Sequence, residues 1–256
     1  MFARSKDGVE IYYEVTGDAD TALVFVHGWM GNVRWWDAQR DAFASTHRVV
    51  ALDLAGHGQS GRTRTQWSAE AYAEDIIAVV QAVSAPRVVL VAHSMAGAYA
   101  LTACPALEGL ARLILVDTLK NLDATPTLEQ VAPMMASYRA DYRAAVETAL
   151  PRFLFSAQTP PAVVERLTRE FLTVTGDVAV TLLEPLYRLD LRAAARSVQV
   201  PVRGIGSDLN PGNVEANRAY FRDYAYVELT GCGHYPMLEA PGAFNVALRT
   251  HLVHQG

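Results

Sequence analysis

Cysteine is scarce in this chain, which has only Cys104 and Cys232 among its 256 residues. Secreted scaffolds held by disulfides carry cysteines at much higher density. Cysteine metal sites need closely spaced ligand pairs, and these two residues lie far apart in the sequence. The sequence therefore predicts two buried thiols in a reducing compartment and no metal centre.

Runs of basic residues and long apolar runs are also missing. The net charge is −5, whereas binding to nucleic acid requires a basic surface that displaces phosphate counterions. No apolar stretch approaches the roughly twenty residues of a membrane span, and residues 1–10 lack the apolar core of a signal peptide. We therefore expect a soluble, cytoplasmic protein with no nucleic-acid or membrane partner. Whether the chain forms a homodimer stays open.

The residues that are present predict an α/β fold. Apolar residues make up 51% of the chain and charged residues 19%, which is enough for a substantial core. Short runs rich in Val, Ile and Leu predict parallel strands covered on both faces. The predicted strands are residues 22–26, 49–52, 88–91, 113–116, 202–205 and 225–229, after a hairpin of 2–5 and 9–15. Helical patterns at 33–43, 69–83, 95–104, 214–221 and 243–253 alternate with them, which indicates a mostly parallel, doubly wound sheet.

Residues 120–198 interrupt this alternation with helical patterns alone. Thr127 and Gln130 form a capping-box pattern, and Pro160-Pro161 is typical of a helix start. The segment follows the sixth predicted strand. We interpret it as a helical cap over the carboxyl ends of the strands, where open α/β sheets bind ligands. The predicted domains are a core of residues 1–119 and 199–256 and a cap of residues 120–198.

Ser94 is the strongest candidate for a catalytic residue. An apolar strand, residues 88–91, leads directly into the serine, and an alanine-rich helix follows it. A nucleophile elbow needs this context, because a sharp strand-to-helix turn lifts the serine oxygen above the sheet. The turn also needs small residues two positions before and after the serine, and here these are Ala92 and Ala96 in place of the common glycines. A helix N-cap is the alternative role for such a serine.

Two backbone N–H groups are candidates for an oxyanion hole. Met95 follows the candidate nucleophile, and Trp29 follows His27-Gly28 at the end of an apolar strand. Gly28 allows close approach of a substrate. Taken apart from Ser94, the segment His27-Gly28-Trp29 would be interpreted as an ordinary turn at the end of a strand.

His234 is the candidate general base. It follows a short strand and the sequence Gly231-Cys232-Gly233, which predicts an accessible loop. A lone histidine of this kind is usually structural, but its position after the serine and the candidate acids favours a catalytic role.

Two aspartates compete for the role of the triad acid. Asp208 follows the predicted strand 202–205, and Asp117 follows the strand 113–116. Either carboxylate would fix the histidine tautomer and stabilise the imidazolium ion. We favour Asp208, because its loop follows the strand most often used for the acid, and we interpret Asp117 as a cap of backbone N–H groups.

The loop after the fourth strand, residues 53–61, also contains Asp53, His57 and Ser60. His57 precedes Ser94 and so lies outside the expected order of serine, acid and histidine. We interpret this loop as structural, with Asp53 capping loop backbone.

Four segments together resemble the successive signatures of the α/β-hydrolase superfamily: Val26–Trp29, Asp53–Ser60, Ala92–Gly97 and Gly231–His234. The match is closest to its small, capped, cofactor-independent, esterase-like branch, and it covers the chain except the cap. The resemblance implies an α/β-hydrolase fold, no cofactor, and a Ser94–His234–Asp208 triad that acts on a small-molecule ester. It departs from the common pattern at Ala92 and Ala96 and in the short spacing before Asp208.

The resemblance also indicates which alternative functions the residues of this chain favour. Epoxide hydrolases and haloalkane dehalogenases of this fold carry aspartate at the elbow, so Ser94 favours a carboxylesterase that forms an acyl-enzyme. Perhydrolases and haloperoxidases often have proline after the tryptophan, where this chain has Met30. Carbon–carbon bond or lactone hydrolases are a further alternative, and the former commonly need a cation such as Arg139, Arg143 or Arg152. A non-catalytic binding protein on this fold is the remaining hypothesis.

Overall fold

A single sheet of eight strands organises the computed structural model, which describes residues 1–253. The strands are β1 Phe2–Arg4, β2 Glu10–Thr16, β3 Thr21–Val26, β4 Arg48–Leu52, β5 Arg87–His93, β6 Leu110–Val116, β7 Val202–Ser207 and β8 Tyr224–Leu229. Their order across the sheet is β1-β2-β4-β3-β5-β6-β7-β8. The pairs β1–β2 and β2–β4 are antiparallel, and the other neighbours are parallel. The predicted α/β architecture with a mostly parallel sheet is confirmed.

The apolar runs of the sequence occupy the centre of the sheet. Five consecutive residues of β3 and six of β5 are buried. Successive side chains of a strand point to opposite faces, so burial of consecutive residues means that both faces are covered. The first hairpin also forms as predicted, with Gly8 at φ +89° in its turn.

Outside residues 120–198, helices follow strands β3, β4, β5, β7 and β8. They are α1 Asp37–Phe43, α2 Ala69–Val83, α3 Ala96–Ala103, α10 Val214–Arg218, α11 Pro236–Glu239 and α12 Pro241–Val253. Short 3₁₀ turns lie at Val33–Trp36, Cys104–Ala106 and Leu122–Ala124. The prediction of a single α-helix over residues 33–43 is wrong for its first four residues, which form a 3₁₀ turn. Asn32 caps that turn through Arg34 N–H, and the Asp53 carboxylate accepts the Val33 N–H at 2.7 Å, which favours a tight 3₁₀ turn before α1.

Only helices occur in residues 120–198, all of which the structure describes. Besides the turn already named they are α4 Leu128–Ala140, α5 Tyr142–Ala144, a π-helical turn at Ala145–Ala149, α6 Pro151–Leu154, α7 Pro161–Phe171, α8 Gly176–Arg188 and α9 Leu191–Ser197. The capping box of Thr127 and Gln130 and the helix start at Pro161 both form as predicted. The division of the chain into a core and a cap domain stays a prediction.

Strand register aligns the carboxyl ends of the central strands. Val26 pairs with Ala92, and His93 pairs with Val116. Val116 in turn pairs with Ile205 of β7. The residues that follow β3, β5 and β6 therefore lie side by side at one edge of the sheet, where open α/β sheets bind ligands.

Candidate active site

Ser94 lies in the sharp turn between β5 and α3. Its φ of +54° is in the left-handed region, which is uncommon for a residue other than glycine. Ala92 and Ala96 are fully buried, so methyl groups fit where the common pattern has glycines. Gly97 is tighter, because a Cβ there would lie 2.5 Å from Thr118 Cγ2. The strained strand-turn-helix geometry expected of a nucleophile elbow is present.

His234 joins the serine to a carboxylate. Its Nε2 lies 2.8 Å from Ser94 Oγ, and its Nδ1 lies 2.6 Å from Asp117 Oδ2. A carboxylate only accepts hydrogen bonds, so the neutral ring carries its proton on Nδ1 and presents a lone pair on Nε2 to the serine hydroxyl.

Asp117 directly follows β6 and is held by several donors. Its Oδ1 accepts the backbone N–H of Ser207 at 2.7 Å and the Ser207 hydroxyl at 2.9 Å, and the Lys120 ammonium lies 2.5 Å away. Burial by itself raises the pKa of Asp117. The hydrogen bond and charge of His234 and the charge of Lys120 outweigh burial and lower the pKa to about 2. The carboxyl group is therefore ionised at neutral pH.

The expectation that Asp208 lies against His234 is wrong in the structure. Asp208 is exposed, and both of its carboxylate oxygens accept the backbone N–H of Gly231, at 3.1 and 3.0 Å. The reason is strand length. β6 ends level with Ile205, whereas β7 continues to pair with β8, and the Asp208 N–H still donates to the Leu229 carbonyl at 3.1 Å.

Several contacts fix the loop that carries His234. His93 Nε2 lies 2.8 Å from the His234 carbonyl oxygen, and the His234 N–H donates to the Leu154 carbonyl at 2.8 Å. The Glu239 carboxylate accepts the N–H groups of Gly233 and Tyr235, at 2.7 and 2.9 Å. The base is therefore anchored on both sides.

His93, Glu239, Lys120 and Ser207 were absent from the predicted site. His93 is adjacent to the serine, and Glu239 lies within one turn of α11 from the base, so nearness in sequence could have suggested both. No sequence signal links Lys120 and Ser207, whose side chains meet across 87 positions of chain.

Gly28 brings the predicted oxyanion loop against the nucleophile. A Cβ on Gly28 would lie 2.7 Å from His93 Nδ1 and 2.8 Å from Ser94 Cβ. His27 Nδ1 lies 2.7 Å from the Gly28 carbonyl oxygen, and its Nε2 accepts the Leu54 N–H at 3.0 Å. Burial lowers the pKa of His27 to about 4, so the ring is neutral and donates through Nδ1. The Gly28–Trp29 peptide, whose N–H is the predicted donor, is thereby held in one orientation.

The loop after β4 has the structural role expected of it. The Asp53 carboxylate accepts the N–H of Val33 and of Gln59, each at 2.7 Å, and Ser60 Oγ donates to the Asp53 carbonyl at 2.5 Å. His57 is buried, and that burial lowers its pKa to about 3. These contacts shape the loop beside the oxyanion segment.

Aromatic side chains of the helical segment contact the oxyanion loop. The Trp29 ring stacks on Tyr138 with centroids 6.0 Å apart and approaches Tyr142 and Phe171 at 6.2 and 5.8 Å. Trp29 Nε1 donates to the Ala179 carbonyl at 2.8 Å. Helices α4, α7 and α8 are therefore in contact with the carboxyl edge of the sheet.

The arginines considered as a carboxylate site lie on exposed helix faces. Arg139 pairs with Asp177 and Glu184 at 3.7 and 3.4 Å, and Arg143 pairs with Glu147 at 2.9 Å. Arg152 is also exposed.

Residues 1–253 contain neither a metal-binding cluster nor a membrane-spanning helix. Within that range no three His, Cys, Asp or Glu side chains are grouped to bind a metal ion. No helix there combines the length and the apolar character needed to span a bilayer. Cys104 and Cys232 are free and buried, as predicted.

The family model described as "Alpha/beta hydrolase family" matches residues 23–247. The chain belongs to this family. A non-heme chloroperoxidase of Burkholderia pyrrocinia is 38% identical over 98 residues, 38% of this chain and 35% of that protein. A bifunctional esterase/perhydrolase of Acinetobacter calcoaceticus is 38% identical over 98 residues, 38% of this chain and 36% of its own length. This chain thus spans about a third of the length of these curated relatives.

Solved structures show the same fold over the whole chain. An esterase from Exiguobacterium antarcticum superposes with a TM-score of 0.88 at 19% identity, covering 99% of both chains. An enol-lactonase from Burkholderia xenovorans superposes with a TM-score of 0.85 at 21% identity, covering 99% of this chain and 100% of the other. At these identities the similarity establishes the α/β-hydrolase fold.

Proposed function

We propose that the chain is a serine hydrolase that cleaves small to medium carboxylic esters through an acyl-enzyme on Ser94. The observation that carries this proposal is the hydrogen-bonded line from Ser94 Oγ to His234 Nε2, 2.8 Å, and from His234 Nδ1 to Asp117 Oδ2, 2.6 Å. Nucleophile, base and acid are each within direct proton-transfer or hydrogen-bond distance of the next group.

The geometry supports a two-step reaction. Ser94 Oγ attacks the ester carbonyl carbon as its proton passes to His234 Nε2, and the Trp29 and Met95 N–H groups stabilise the resulting oxyanion. His234 then protonates the leaving alkoxy oxygen, and the bond between the carbonyl carbon and that oxygen breaks. Water gives a proton to His234 Nε2 as its oxygen attacks the acyl carbon. The bond between that carbon and Ser94 Oγ then breaks, His234 returns the proton to Oγ, and the carboxylic acid leaves. Asp117 holds the ring and stabilises the imidazolium ion in both steps.

We also propose that residues 120–198 act as a cap that selects the substrate. Support comes from the contacts of Tyr138, Tyr142 and Phe171 with Trp29. These aromatic contacts favour an apolar, uncharged acyl or alcohol group. The exposed positions of Arg139 and Arg143 argue against a cationic site for a substrate carboxylate.

Replacement of the nucleophile tests the proposal. Ser94→Ala should lower kcat/KM for p-nitrophenyl acetate and butyrate by about 10⁴-fold or more, and a fluorophosphonate probe should label the native protein but not the variant. Ser197→Ala, on an exposed helix end, is the matched control and should react normally. Undiminished turnover in Ser94→Ala would reject the proposed nucleophile, and failure to label the native protein would favour a non-catalytic binding role.

Perhydrolysis is a second candidate, favoured by the names of the two 38% identical relatives. In this reaction hydrogen peroxide replaces water as the acceptor of the acyl group, and a peracid leaves. Methionine rather than proline follows Trp29, which favours hydrolysis. Addition of hydrogen peroxide during turnover of an acetate ester distinguishes the two: peracetic acid as the main product would favour the perhydrolase, and acetate would favour the esterase.

A further inference from the structure

Lys120 is a half-buried cation that pairs with the Asp117 carboxylate on the oxygen opposite His234. Its Nζ lies 2.5 Å from Asp117 Oδ1, 3.3 Å from the Ser207 carbonyl oxygen and 3.5 Å from Ser207 Oγ. It also donates to the Asn210 carbonyl. An ammonium group has three N–H donors, so one carboxylate and two backbone carbonyls are sufficient to engage all of them.

This ion pair is shielded from water. The Lys120 side chain is 18% exposed and that of Asp117 is 1% exposed. Salt and solvent screen such a pair much less than a surface pair. The Asp117 carboxylate therefore lies between two groups of positive character: Lys120 at Oδ1 and, once it is protonated, His234 at Oδ2.

The backbone around the pair is held in an unusual conformation. Asp117 and Leu119 both have positive φ, +45° and +48°, and residues other than glycine rarely adopt this region. The two turns bring the Lys120 side chain back onto the carboxylate three positions earlier. The Lys120 carbonyl also accepts the Asn213 N–H at 2.6 Å, which ties this segment to the loop after β7.

We propose that Lys120 is a positioning residue of the triad, which orients Asp117 through Oδ1 and lowers the pH at which His234 loses its proton. The proposal rests on the proposed function, since His234 must be neutral to accept the proton of Ser94. A nearby cation disfavours the imidazolium ion, and it also offsets part of the stabilisation that the carboxylate gives to that ion. The base is thereby kept in its active, neutral form at lower pH.

Other titratable groups around His234 and Asp117 are His93 on β5, Asp208 after β7, Tyr226 on β8, Cys232 and Tyr235 in the loop that carries His234, and Glu239 on α11. Burial raises the pKa of Tyr235, whose ring centroid lies 5.1 Å from that of His234, so its hydroxyl stays protonated. Burial lowers the pKa of His93 to about 3, and its ring stays neutral. Burial raises the pKa of Cys232 to about 12, and burial likewise raises that of Tyr226, so both stay protonated at neutral pH. The carboxylates of Asp208 and Glu239 are bound to backbone N–H groups. Among them, the charge of Lys120 acts on Cys232, whose pKa it lowers, so loss of Lys120 leaves that thiol protonated.

The sequence offers a matched control, because lysine occurs only at positions 6 and 120. The Lys6 side chain is 78% exposed and pairs with Glu74 at 3.5 Å on the surface. Lys120→Met removes the charge beside Asp117, Lys120→Arg keeps a cation there, and Lys6→Met removes a surface charge. Lys120→Gln is a second uncharged variant that keeps hydrogen-bond donors. It replaces Lys120→Met in the test if the methionine variant does not fold.

The first measurement is the pKa of His234 in the resting protein, followed by NMR of its ring protons and assigned with His234→Gln. For charges separated by one carboxylate group, Coulomb's law at a dielectric between those of protein and water gives a change of about one pH unit. Loss of the cation in Lys120→Met or Lys120→Gln should therefore raise the pKa of His234 by about one unit. Lys120→Arg and Lys6→Met should leave it near the native value.

The second measurement is the pH dependence of kcat/KM with p-nitrophenyl acetate. The acidic limb should move upward in Lys120→Met by the same amount as the NMR titration, and Lys120→Arg should restore it. A shift in the NMR titration without ester turnover in any form would support the role of Lys120 and reject the esterase. Normal turnover with an unchanged His234 titration in both uncharged variants would overturn the role of Lys120 and leave the esterase standing.

Discussion

The donors around Asp117 determine what Asp117→Asn does to the site. Three groups point at Oδ1: the Ser207 N–H at 2.7 Å, the Ser207 hydroxyl at 2.9 Å and the Lys120 ammonium at 2.5 Å. They force the amide oxygen of asparagine into that position. The amide NH₂ then occupies the place of Oδ2 and donates to His234 Nδ1, which is 2.6 Å away.

The size of the effect follows from the tautomer of the histidine. A ring that accepts at Nδ1 carries its proton on Nε2, which faces Ser94 Oγ at 2.8 Å. In that tautomer it has no lone pair to receive the serine proton. Loss of the correct tautomer costs about 10⁴-fold in kcat in a serine protease, or about 5 kcal/mol in the activation barrier. We expect a loss of the same order here.

Asp208→Asn is the matched control for this prediction. Its side chain is exposed and caps only the Gly231 N–H, and an asparagine carbonyl oxygen still accepts that bond. We expect kcat within about threefold of the native value, as for other exposed substitutions with small effects on stability.

Turnover of p-nitrophenyl acetate at pH 8, together with thermal unfolding of each variant, measures both predictions. The comparison is valid where both variants retain the native unfolding transition. The assignment of Asp117 is refuted if the folded Asp117→Asn variant keeps more than a tenth of the native kcat. It is equally refuted if Asp208→Asn shows the larger loss.

Two further perturbations follow from the same geometry. Gly28→Ala introduces a Cβ 2.8 Å from Ser94 Cβ and should lower kcat about 100-fold by moving the oxyanion loop. Gly242→Ala, where a Cβ meets open space, should keep native kcat, and equal activity of the two variants would contradict the predicted close approach. The pKa of Asp117 is lowered from 3.8 to about 2 in the folded protein. The ionised carboxylate therefore stabilises the fold above about pH 4, and this contribution is lost as the pH falls to about 2. In urea unfolding, the stability difference between native protein and Asp117→Asn should shrink over this window, and a constant difference would exclude the linkage.

Local sequence pattern was sufficient to predict the fold. It also singled out two members of the candidate triad, whose catalytic role stays a prediction. The apolar runs that became β3 and β5 are buried on both faces, a property visible in a window of a few residues. Ser94 and His234 are marked by small flanking residues and by their order in the chain. The structure brings these two side chains together at 2.8 Å.

Identification of the triad acid required information that a window of a few residues does not contain. Asp117 and Asp208 each end a parallel strand, so their local patterns are equivalent. Which of them faces His234 depends on how far β7 pairs with β8 beyond the end of β6. The pairing of β6 with β7 joins residues far apart in the sequence, such as Val116 and Ile205, and the contacts of Ser207 and Lys120 with Asp117 depend on it too.

The bond from the His234 N–H to the Leu154 carbonyl has a consequence for engineering. Leu154 ends α6, and Thr159 just beyond it donates to Glu239 at 2.5 Å, so residues 120–198 contribute part of the scaffold of the base. Exchanging this segment for that of a relative in order to change specificity would also remove these supports. A transplanted segment therefore has to supply an acceptor for the His234 N–H, or turnover will fall on every substrate alike. A screen of chimeras for a new specificity would then reject some whose pocket fits the new substrate. They would be inactive only because His234 is no longer held in position.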